Sequence, residues 1–375
     1  MMTEQNKPYC AFPWFHQQTR PDGYVAPCCI WYETIKGYDY KTFFQGQFMQ
    51  DLREQFQQQI PHACCKHCEY NAKIKTPSYK DYSFVLAEKL GVTFDEPKLI
   101  SQEVNFSTLC NLKCRMCSQE RSSSWIADSV AMGEAPLGLL KSDWQFESKL
   151  VKDTRHLIFI GGEPIMHQHD ILDTLEKWYA EQSISQSIIS ITTNMTIKIS
   201  DRLLELLTMT KETNIICSVD AVGDLNEYIR SDSSWLDIQS NMKILTDLKL
   251  LHHNLSIKIN AVYSVYNHDR LDELVEWAES IGIYMQINAC TWPIVLDARN
   301  LPDNVKASVI EKYSQSRVDH PLYNHCYETV IHHLLESAVM QMPAWQEKFN
   351  HYNKFLDQRR GTNLRLAAPV LAALA

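Results

Sequence analysis

The chain has no run of about 20 consecutive apolar residues, so a membrane-spanning helix of ordinary length is excluded. It has no basic excess. Its 36 Lys and Arg stand against 45 Asp and Glu, a formal net charge of −9, which argues against a general nucleic-acid-binding surface. Met1 to Lys7 is polar and lacks the apolar core of a secretory signal. The terminal Leu366–Ala375 stretch is apolar but too short to span a bilayer. There is no internal repeat and no low-complexity segment. Cysteine, by contrast, is plentiful, with 12 in 375 residues. Without an export signal, a reducing cytoplasm is the expected compartment, and there clustered cysteines hold metal more often than they form disulfides. The apolar fraction of 45% and the length predict a soluble, folded protein of two or three domains, one that meets small molecules, peptides or other proteins.

Nine of the twelve cysteines precede residue 118. Cys10, Cys28, Cys29, Cys64, Cys65 and Cys68 fall in residues 1–95, with turn formers such as Arg20-Pro-Asp-Gly23 between them. This segment reads as a small metal-stapled domain of short strands and one helix, about Gly46 to Gln59. From residue 99 apolar, β-rich runs alternate with helical patterns. The expected strands are Ile100–Ser107, His156–Ile160, Ile188–Thr192, Ile215–Val219, Ile257–Tyr263 and Tyr284–Asn288. The expected helices are Asp170–Glu181, Asp201–Thr208, Leu236–Leu248 and Leu271–Ser280. Such alternation predicts an α/β fold with a parallel sheet, and six units predict a partial (β/α)6 TIM-like barrel over residues 96–300. Residues 301–375 read as a C-terminal helical segment. In folds of this kind the site lies at the carboxyl ends of the strands.

Cys110-Asn-Leu-Lys-Cys114-Arg-Met-Cys117 follows the first core strand with the spacing C-x3-C-x2-C. A structural zinc site takes four ligands. Three thiolates, however, hold three irons of a [4Fe–4S] cube and leave one iron open to a bidentate small molecule. The competing reading is a zinc site completed by a distant His or Cys. Gly161-Gly-Glu-Pro164 follows the second strand. Its glycines allow close backbone approach, and Glu163 offers a carboxylate to an ammonium group. The next strand ends carry Thr193 and Asn194, then Ser218 and Asp220, then Asn260. These short polar side chains suit a ribose or an amino-acid carboxylate. Each alone reads as an ordinary strand-end cap; on successive strand ends they favour a ligand site.

C-x3-C-x2-C after a first strand, with GGEP after a second, resembles the radical S-adenosylmethionine (SAM) superfamily over roughly residues 99–290. The resemblance implies that Cys110, Cys114 and Cys117 hold a [4Fe–4S] cluster whose open iron binds the amino and carboxylate groups of SAM. It implies that Gly161, Gly162 and Glu163, with Pro164, meet the SAM amino group. Thr193, Asn194, Ser218, Asp220 and Asn260 would lie near its ribose or carboxylate, and Arg230, in Glu227-Tyr-Ile-Arg230, would reach the carboxylate. The residue before the third cysteine is often aromatic in that family; here it is Met116, whose thioether still packs on adenine. The implied chemistry is reductive cleavage of SAM to methionine and a 5′-deoxyadenosyl radical, which abstracts hydrogen from a substrate.

The early pattern, Cys10-Ala-Phe-Pro-Trp14, then Arg20 to Cys28-Cys29, then Ile60-Pro-His-Ala-Cys-Cys-Lys-His-Cys68, resembles the SPASM/twitch auxiliary-cluster domains of radical SAM enzymes. Here it precedes the core. Tyr228-Ile-Arg-Ser-Asp-Ser-Ser-Trp235 and Leu356-Asp-Gln-Arg-Arg-Gly-Thr362 also look like a twitch-containing branch of that superfamily. The resemblance implies a second [4Fe–4S] cluster on Cys10, Cys28, Cys65 and Cys68, with Cys29 and Cys64 as substitutes. A zinc ribbon from the same four residues is the alternative.

Cys217 reads as a core thiol. Cys290 and Cys326 are isolated, Cys290 lying at a strand end near the expected site. His167 and His169 read as loop residues, His252-His253 and His332-His333 as surface residues, and Trp125, Trp144, Trp178 and Trp277 as packing. Glu273 and Glu276 read as solvated. The leading expectation is an enzyme that modifies a peptide (crosslinking, epimerisation or excision, as in the maturation of ribosomally made peptides) or a natural-product precursor. It would need an electron donor such as flavodoxin or ferredoxin, and with no recognition domain evident, a separate peptide-recognition protein. The competing readings are a non-catalytic zinc or Fe–S interaction module, a radical SAM enzyme acting on a sugar or other small molecule, and one transferring methyl groups, which the lack of a cobalamin-binding segment disfavours. No catalytic acid, base or radical-quenching residue is singled out.

Overall fold

The computed structural model describes residues 7–145, 147, 153–181 and 184–374. Met1–Asn6 of the polar leader and Ala375 of the apolar tail lie outside the described residues. Among the described residues there are ten strands: β1 (His16–Thr19), β2 (Val25–Ala26), β3 (Ser101–Asn105), β4 (Lys113–Cys114), β5 (His156–Ile160), β6 (Ile188–Thr193), β7 (Glu212–Ser218), β8 (Arg230–Ser231), β9 (Leu255–Tyr263) and β10 (Tyr284–Ala289). The six expected core strands are β3, β5, β6, β7, β9 and β10. The expected helices are Gln168–Glu181, Asp201–Thr208, Trp235–Leu251 and Leu271–Ser280. The fold is α/β with parallel strand pairs. Contacts divide the chain into two units.

The first unit is Met1–Leu109, Leu139–Thr192 and Ile199–Asn214. Its strands lie in the order β2-β1-β3-β5-β6. β3 pairs in parallel with β5, and β5 with β6, in the registers Ser101↔His156 and His156↔Ile188. β5 is a near-continuous apolar run, as a strand covered on both faces requires. Residues 1–95 supply two strands of this sheet. β1 pairs in parallel with β3, His16 opposite Ser101, and β2 pairs antiparallel with β1. The expected boundary at residues 95–96 thus runs between hydrogen-bonded strands. β1 reads His-Gln-Gln-Thr and carries no apolar signal, yet all four residues are buried.

One helix was expected before residue 95, but three are present: Gln47–Gln57, Lys66–Lys73 and Tyr79–Leu90. Lys66–Lys73 has little apolar periodicity. Tyr79–Leu90 is set by its ends: Ser78 and Asp81 form a capping box, and Gly91 terminates the helix at φ 67. Across four strands runs a buried polar row. His16 Nδ1 lies 2.9 Å from Ser101 Oγ, Ser101 Oγ 3.1 Å from His156 Nδ1, and His156 Nε2 3.0 Å from Ser190 Oγ. Burial pushes both imidazoles down to about 3, so both are neutral near pH 7.

The second unit is Cys110–Gly138, Thr193–Lys198 and Ile215–Ala375. β9 lies between the C-terminal part of β7 and β10, and β9 and β10 pair in parallel, Ala261 opposite Ile287. β4 and β8 form a short antiparallel ladder with Cys114 opposite Arg230. The expected helical C-terminus contains Asp303–Asp319, Asn324–Leu335 and Ala344–Arg360, the last ended by Gly361 at φ 64. His333, expected on the surface, is fully buried on the helix Asn324–Leu335. It shares a face with Cys326 and Val330, and its Nε2 lies 3.1 Å from the equally buried Asp297. Burial works to raise the Asp297 carboxyl, but hydrogen bonds from His333 and Arg299 prevail and hold it below the usual carboxylate range.

Candidate functional site

The C-x3-C-x2-C loop lies in the second unit. Cys110 is buried, and Cys114 and Cys117 are half-buried. Burial pushes the Cys114 thiol up to about 12, with Cys117 and Cys110 adding to the rise, and pushes Cys117 up to about 11, with Cys110 adding to it. Cys114 thus feels both other loop thiols, and a bound cation would favour the ionised forms of all three. The loop backbone is tightly held. Cys110 O accepts from Ser124 Oγ at 2.6 Å, Leu112 O from Ser122 Oγ at 2.7 Å, and Cys114 O from Trp125 Nε1 at 2.8 Å. Trp125, expected to be packing alone, thus anchors a cysteine carbonyl. Met116 is half-buried in the same loop.

The polar strand-end residues of this unit are engaged with one another. Asn194 Nδ2 donates to Asn111 Oδ1 at 2.9 Å, and Asn111 Nδ2 donates to Thr196 Oγ1 at 2.8 Å, which ties the strand end after β6 to the cysteine loop. Thr193 Oγ1 accepts from the Met195 amide. Ser218 ends β7 half-buried. Asp220 is fully buried and accepts from the Val262 amide at 2.8 Å. Its carboxylate faces the Arg230 guanidinium, with Nε 2.8 Å from Oδ2 and Nη2 3.1 Å from Oδ1, while Arg230 Nη1 lies 3.8 Å from Cys114 Sγ. Burial alone would lower the Arg230 pKa, but Asp220 and Cys114 hold the group charged. The fork expected to meet a carboxylate on SAM is thus engaged by Asp220. Asn260 accepts from Asn288 Nδ2 at 2.6 Å. Cys217 is a buried core thiol as expected, and Cys290 is buried with Sγ 3.3 Å from Trp292 O.

GGEP lies in the first unit. Gly162 donates to Ser107 O at 3.0 Å, and Glu163 donates to Leu109 O at 2.8 Å. Leu109 is the residue before Cys110 in the chain. A Cβ on Gly162 would lie 2.3 Å from Leu109 O, so no other residue fits. Glu163 is buried, and its Oε1 accepts from the Ile165 amide at 2.9 Å, capping the short 3-10 helix Pro164–His167. Its carboxylate therefore has a structural partner in addition to any ligand. His167, expected on the loop surface, bridges Ser107 Oγ and Asp170. Asn105, at the end of β3, was not singled out from the sequence. Its buried Oδ1 has no hydrogen-bond partner and borders Gly161. An orphaned buried acceptor is costly, and one beside the Gly-Gly turn fits an incoming donor such as an ammonium group. The only sequence signal was a polar residue at a strand end.

The early cysteines also lie in the first unit. Burial pushes Cys10 up to about 12, with Cys68 and Cys65 adding to the rise. Cys28 is raised well above its ordinary value by burial, then Cys29, Cys10 and Cys68. Cys65 rises to about 11 and Cys68 also rises, both through burial. Cys10 feels the charge of Cys68 and Cys65, Cys28 that of Cys29, Cys10 and Cys68, and Cys65 that of Cys68 and Cys64; Cys10, Cys28, Cys65 and Cys68 each also have a backbone amide aimed at the sulfur, as cluster thiolates do. Cys68 faces the amides of Tyr79 and Lys80 at a helix start. Cys64 instead lies with Glu33 and His62, the one group of three His, Cys, Asp or Glu donors within 4.8 Å of one another among the described residues, so neither cysteine set is drawn together that closely. His62 Nδ1 accepts from the Cys64 amide at 3.2 Å, so a neutral ring keeps its proton on Nε2, which lies 4.0 Å from Glu33. That leaves no ring lone pair for a metal, and the trio reads as a hydrogen-bonded cluster.

A family described as a 4Fe-4S single cluster domain matches residues 101–242, the stretch with the three core cysteines, GGEP, Asp220 and Arg230. No curated protein matches the chain. Among solved structures, native anSMEcpe with bound AdoMet and a peptide is similar at 15% identity, with 59% of this chain and 61% of that chain covered and a TM-score of 0.43. Streptococcus suis SuiB bound to precursor peptide SuiA is similar at 17% identity, over 76% and 54%, with a TM-score of 0.36. TYW1 with a lysine-pyruvate adduct bound is similar at 13% identity, over 57% and 70%, with a TM-score of 0.33. The matched region spans about three-fifths of the length of the anSMEcpe structures.

Proposed function

We propose that this chain is a radical SAM enzyme with two [4Fe–4S] clusters that modifies a peptide. The observation that carries the reading is the loop Cys110–Cys117, spaced C-x3-C-x2-C, whose Cys114 thiol feels both Cys110 and Cys117, in a region matching a 4Fe-4S single-cluster family. A [4Fe–4S] cluster held by Cys110, Cys114 and Cys117 would, once reduced, supply the one electron needed to cleave the C5′–S bond of SAM to methionine and a 5′-deoxyadenosyl radical.

The chain's own residues bind, orient and shield. Cys110, Cys114 and Cys117 are the ligands. Asn105 Oδ1 and Glu163, beside the Gly161-Gly162 turn, receive an ammonium group. Asn194 and Asn111 hold the loop after β6 against the cysteine loop, and Thr193, Ser218 and Asn260 offer hydroxyl and amide groups to a ribose. Asp220 holds the Arg230 cation beside Cys114, where it offsets the negative charge of a cluster. Met116 offers a thioether to adenine. Cys10, Cys28, Cys65 and Cys68 close the auxiliary cluster, with Cys29 and Cys64 as substitutes; the place of Cys64 beside Glu33 and His62 supports Cys65 over Cys64. In this reading residues 1–95 are the auxiliary segment, 96–300 the SAM core and 301–375 its helical extension. The electron donor is a flavodoxin or ferredoxin, a separate protein presents the peptide, and the reaction takes place in the cytoplasm.

The test is anaerobic reconstitution with iron and sulfide, reduction by dithionite and addition of SAM. Formation of 5′-deoxyadenosine and methionine is expected. Its absence, with and without candidate peptides, together with two zinc ions per chain and no iron, would replace the proposal with an interaction module.

A further inference from the structure

Arg115 lies between the second and third cysteines, in the one part of the loop that SAM chemistry leaves without a task. Its side chain is fully buried. A buried guanidinium needs a counter-charge and acceptors for its donors, and they come from the far end of the chain. Nη2 pairs with Asp357 and donates to Thr362 Oγ1 at 2.7 Å; Nη1 donates to Asn353 Oδ1 at 3.3 Å; Nε donates to Tyr228 O at 3.0 Å. The guanidinium lies over the Tyr228 ring, 3.7 Å from its centroid. The backbone of residue 115 is held as well. Its amide donates to Ile229 O at 2.7 Å, and its carbonyl accepts from Tyr352 Oη at 2.5 Å.

The neighbouring contacts repeat the pattern. Arg360 Nη1 donates to Lys113 O at 2.6 Å, and its guanidinium lies over Trp125, whose indole holds Cys114 O. Arg360 and Arg359 both pair with Asp128, at 2.9 and 2.7 Å. Asn353, Asp357 and Arg360 follow the i, i+4, i+7 spacing of one helical face.

We propose that the helix Ala344–Arg360 with Thr362 is a clamp that fixes the cluster-binding loop, and that Arg115 is its positioning residue, acting through Cys114 and Cys117. This rests on the loop being the SAM-cluster site. A loop pre-set for three ligands loses less freedom when it takes up a cluster and releases it more slowly. The clamp therefore governs retention of that cluster and not of the one on the early cysteines.

The test uses full-length, anaerobically reconstituted protein: wild type, Arg115→Gln, Arg115→Lys and Tyr352→Phe, the last removing a single hydroxyl. Iron release to a chelator is followed by absorbance, together with the change in the reduced-cluster electron paramagnetic resonance signal on adding SAM. In Tyr352→Phe and Arg115→Lys, iron release from the SAM-responsive cluster is expected to be about 10- to 100-fold faster, the range found when groups supporting metal ligands are removed. The SAM-unresponsive cluster should be unaffected. Arg115→Gln is expected to keep only about four irons per chain, those of one cubane. If Arg115→Gln fails to fold, Tyr352→Phe alone decides. Wild-type release in Tyr352→Phe and Arg115→Lys, or equal acceleration at both clusters, overturns the clamp. A wild type without any SAM-responsive signal overturns the underlying SAM reading instead.

Discussion

The two cysteine constellations are built by opposite routes. Cys110, Cys114 and Cys117 lie within eight residues, and their spacing alone suggests the proposed open three-ligand site. The loop still needs outside support, which comes from Trp125, Asn194 and the helix Ala344–Arg360. Cys10, Cys28, Cys65 and Cys68, the proposed auxiliary set, are drawn from three separate stretches of a 59-residue span and could meet only once β1, the helix Lys66–Lys73 and the start of the helix Tyr79–Leu90 are in place. A local motif can be read from sequence and is refined by distant contacts. A dispersed set is created by the fold, and holding a metal should in turn stabilise that fold.

The comparison is broken most visibly by single substitutions among the early cysteines. Cys65→Ala and Cys68→Ala should each lower iron from about eight to about four per chain, the count of one cubane. Cys29→Ala and Cys64→Ala should keep the full count, because the Cys64 amide and thiol belong to the His62–Glu33 cluster. Iron loss in Cys64→Ala with retention in Cys65→Ala would exchange the two assignments.

In the core loop the largest effect on stability is expected at the buried pair beside Cys114. Asp220→Asn leaves the Arg230 cation buried without its counter-ion, which costs about 3–5 kcal/mol. Anaerobic denaturant titration measures it. A cost below about 1 kcal/mol would mean that water or a neighbouring group replaces Asp220. Gly162→Ala should follow at about 1–3 kcal/mol, the usual cost of overpacking, because its Cβ would drive into Leu109 O. It should also lower iron occupancy at the motif that begins one residue after Leu109 in the chain, and unchanged occupancy would separate the GGEP turn from cluster assembly.

The smallest effect is graded with pH. His16 and His156 have folded-state pKa values lowered to about 3 by burial, against about 6.5 unfolded. Between those values the unfolded chain binds more protons, so stability is full above about pH 6.5 and falls as pH drops. The slope is about 1.4 kcal/mol per pH unit for each histidine. His156→Gln should flatten the slope of unfolding free energy between pH 6.5 and 5, and an unchanged slope would show that these imidazoles do not stay neutral.

Much of this was legible in the chain. β5, the helix Asp201–Thr208 and the helix Leu271–Ser280 fall on their expected limits, because apolar runs and Ser or Gly punctuation mark them locally. β1 was invisible, since His-Gln-Gln-Thr has neither apolar alternation nor β-branched bulk before Thr19; its burial comes from hydrogen bonds to β3 and side-chain partners such as Glu103 and Tyr40 O. His333 was misread for a similar reason, its buried partner Asp297 lying 36 positions earlier. At the site, the cysteines and GGEP were evident, whereas Asn105 and Arg115 were not. Arg115 stood inside the motif, but its acceptors Asn353, Asp357 and Thr362 lie more than 230 residues away, and no local pattern carries that information.

The central claim, two clusters of which one sits on an open triad, is tested most directly by iron and acid-labile sulfide per chain in anaerobically purified wild type beside the Cys110→Ala/Cys114→Ala/Cys117→Ala variant. The account predicts about eight irons falling to about four. About four irons in both proteins would contradict it, because the triad would then hold no cluster and SAM would have no iron to bind.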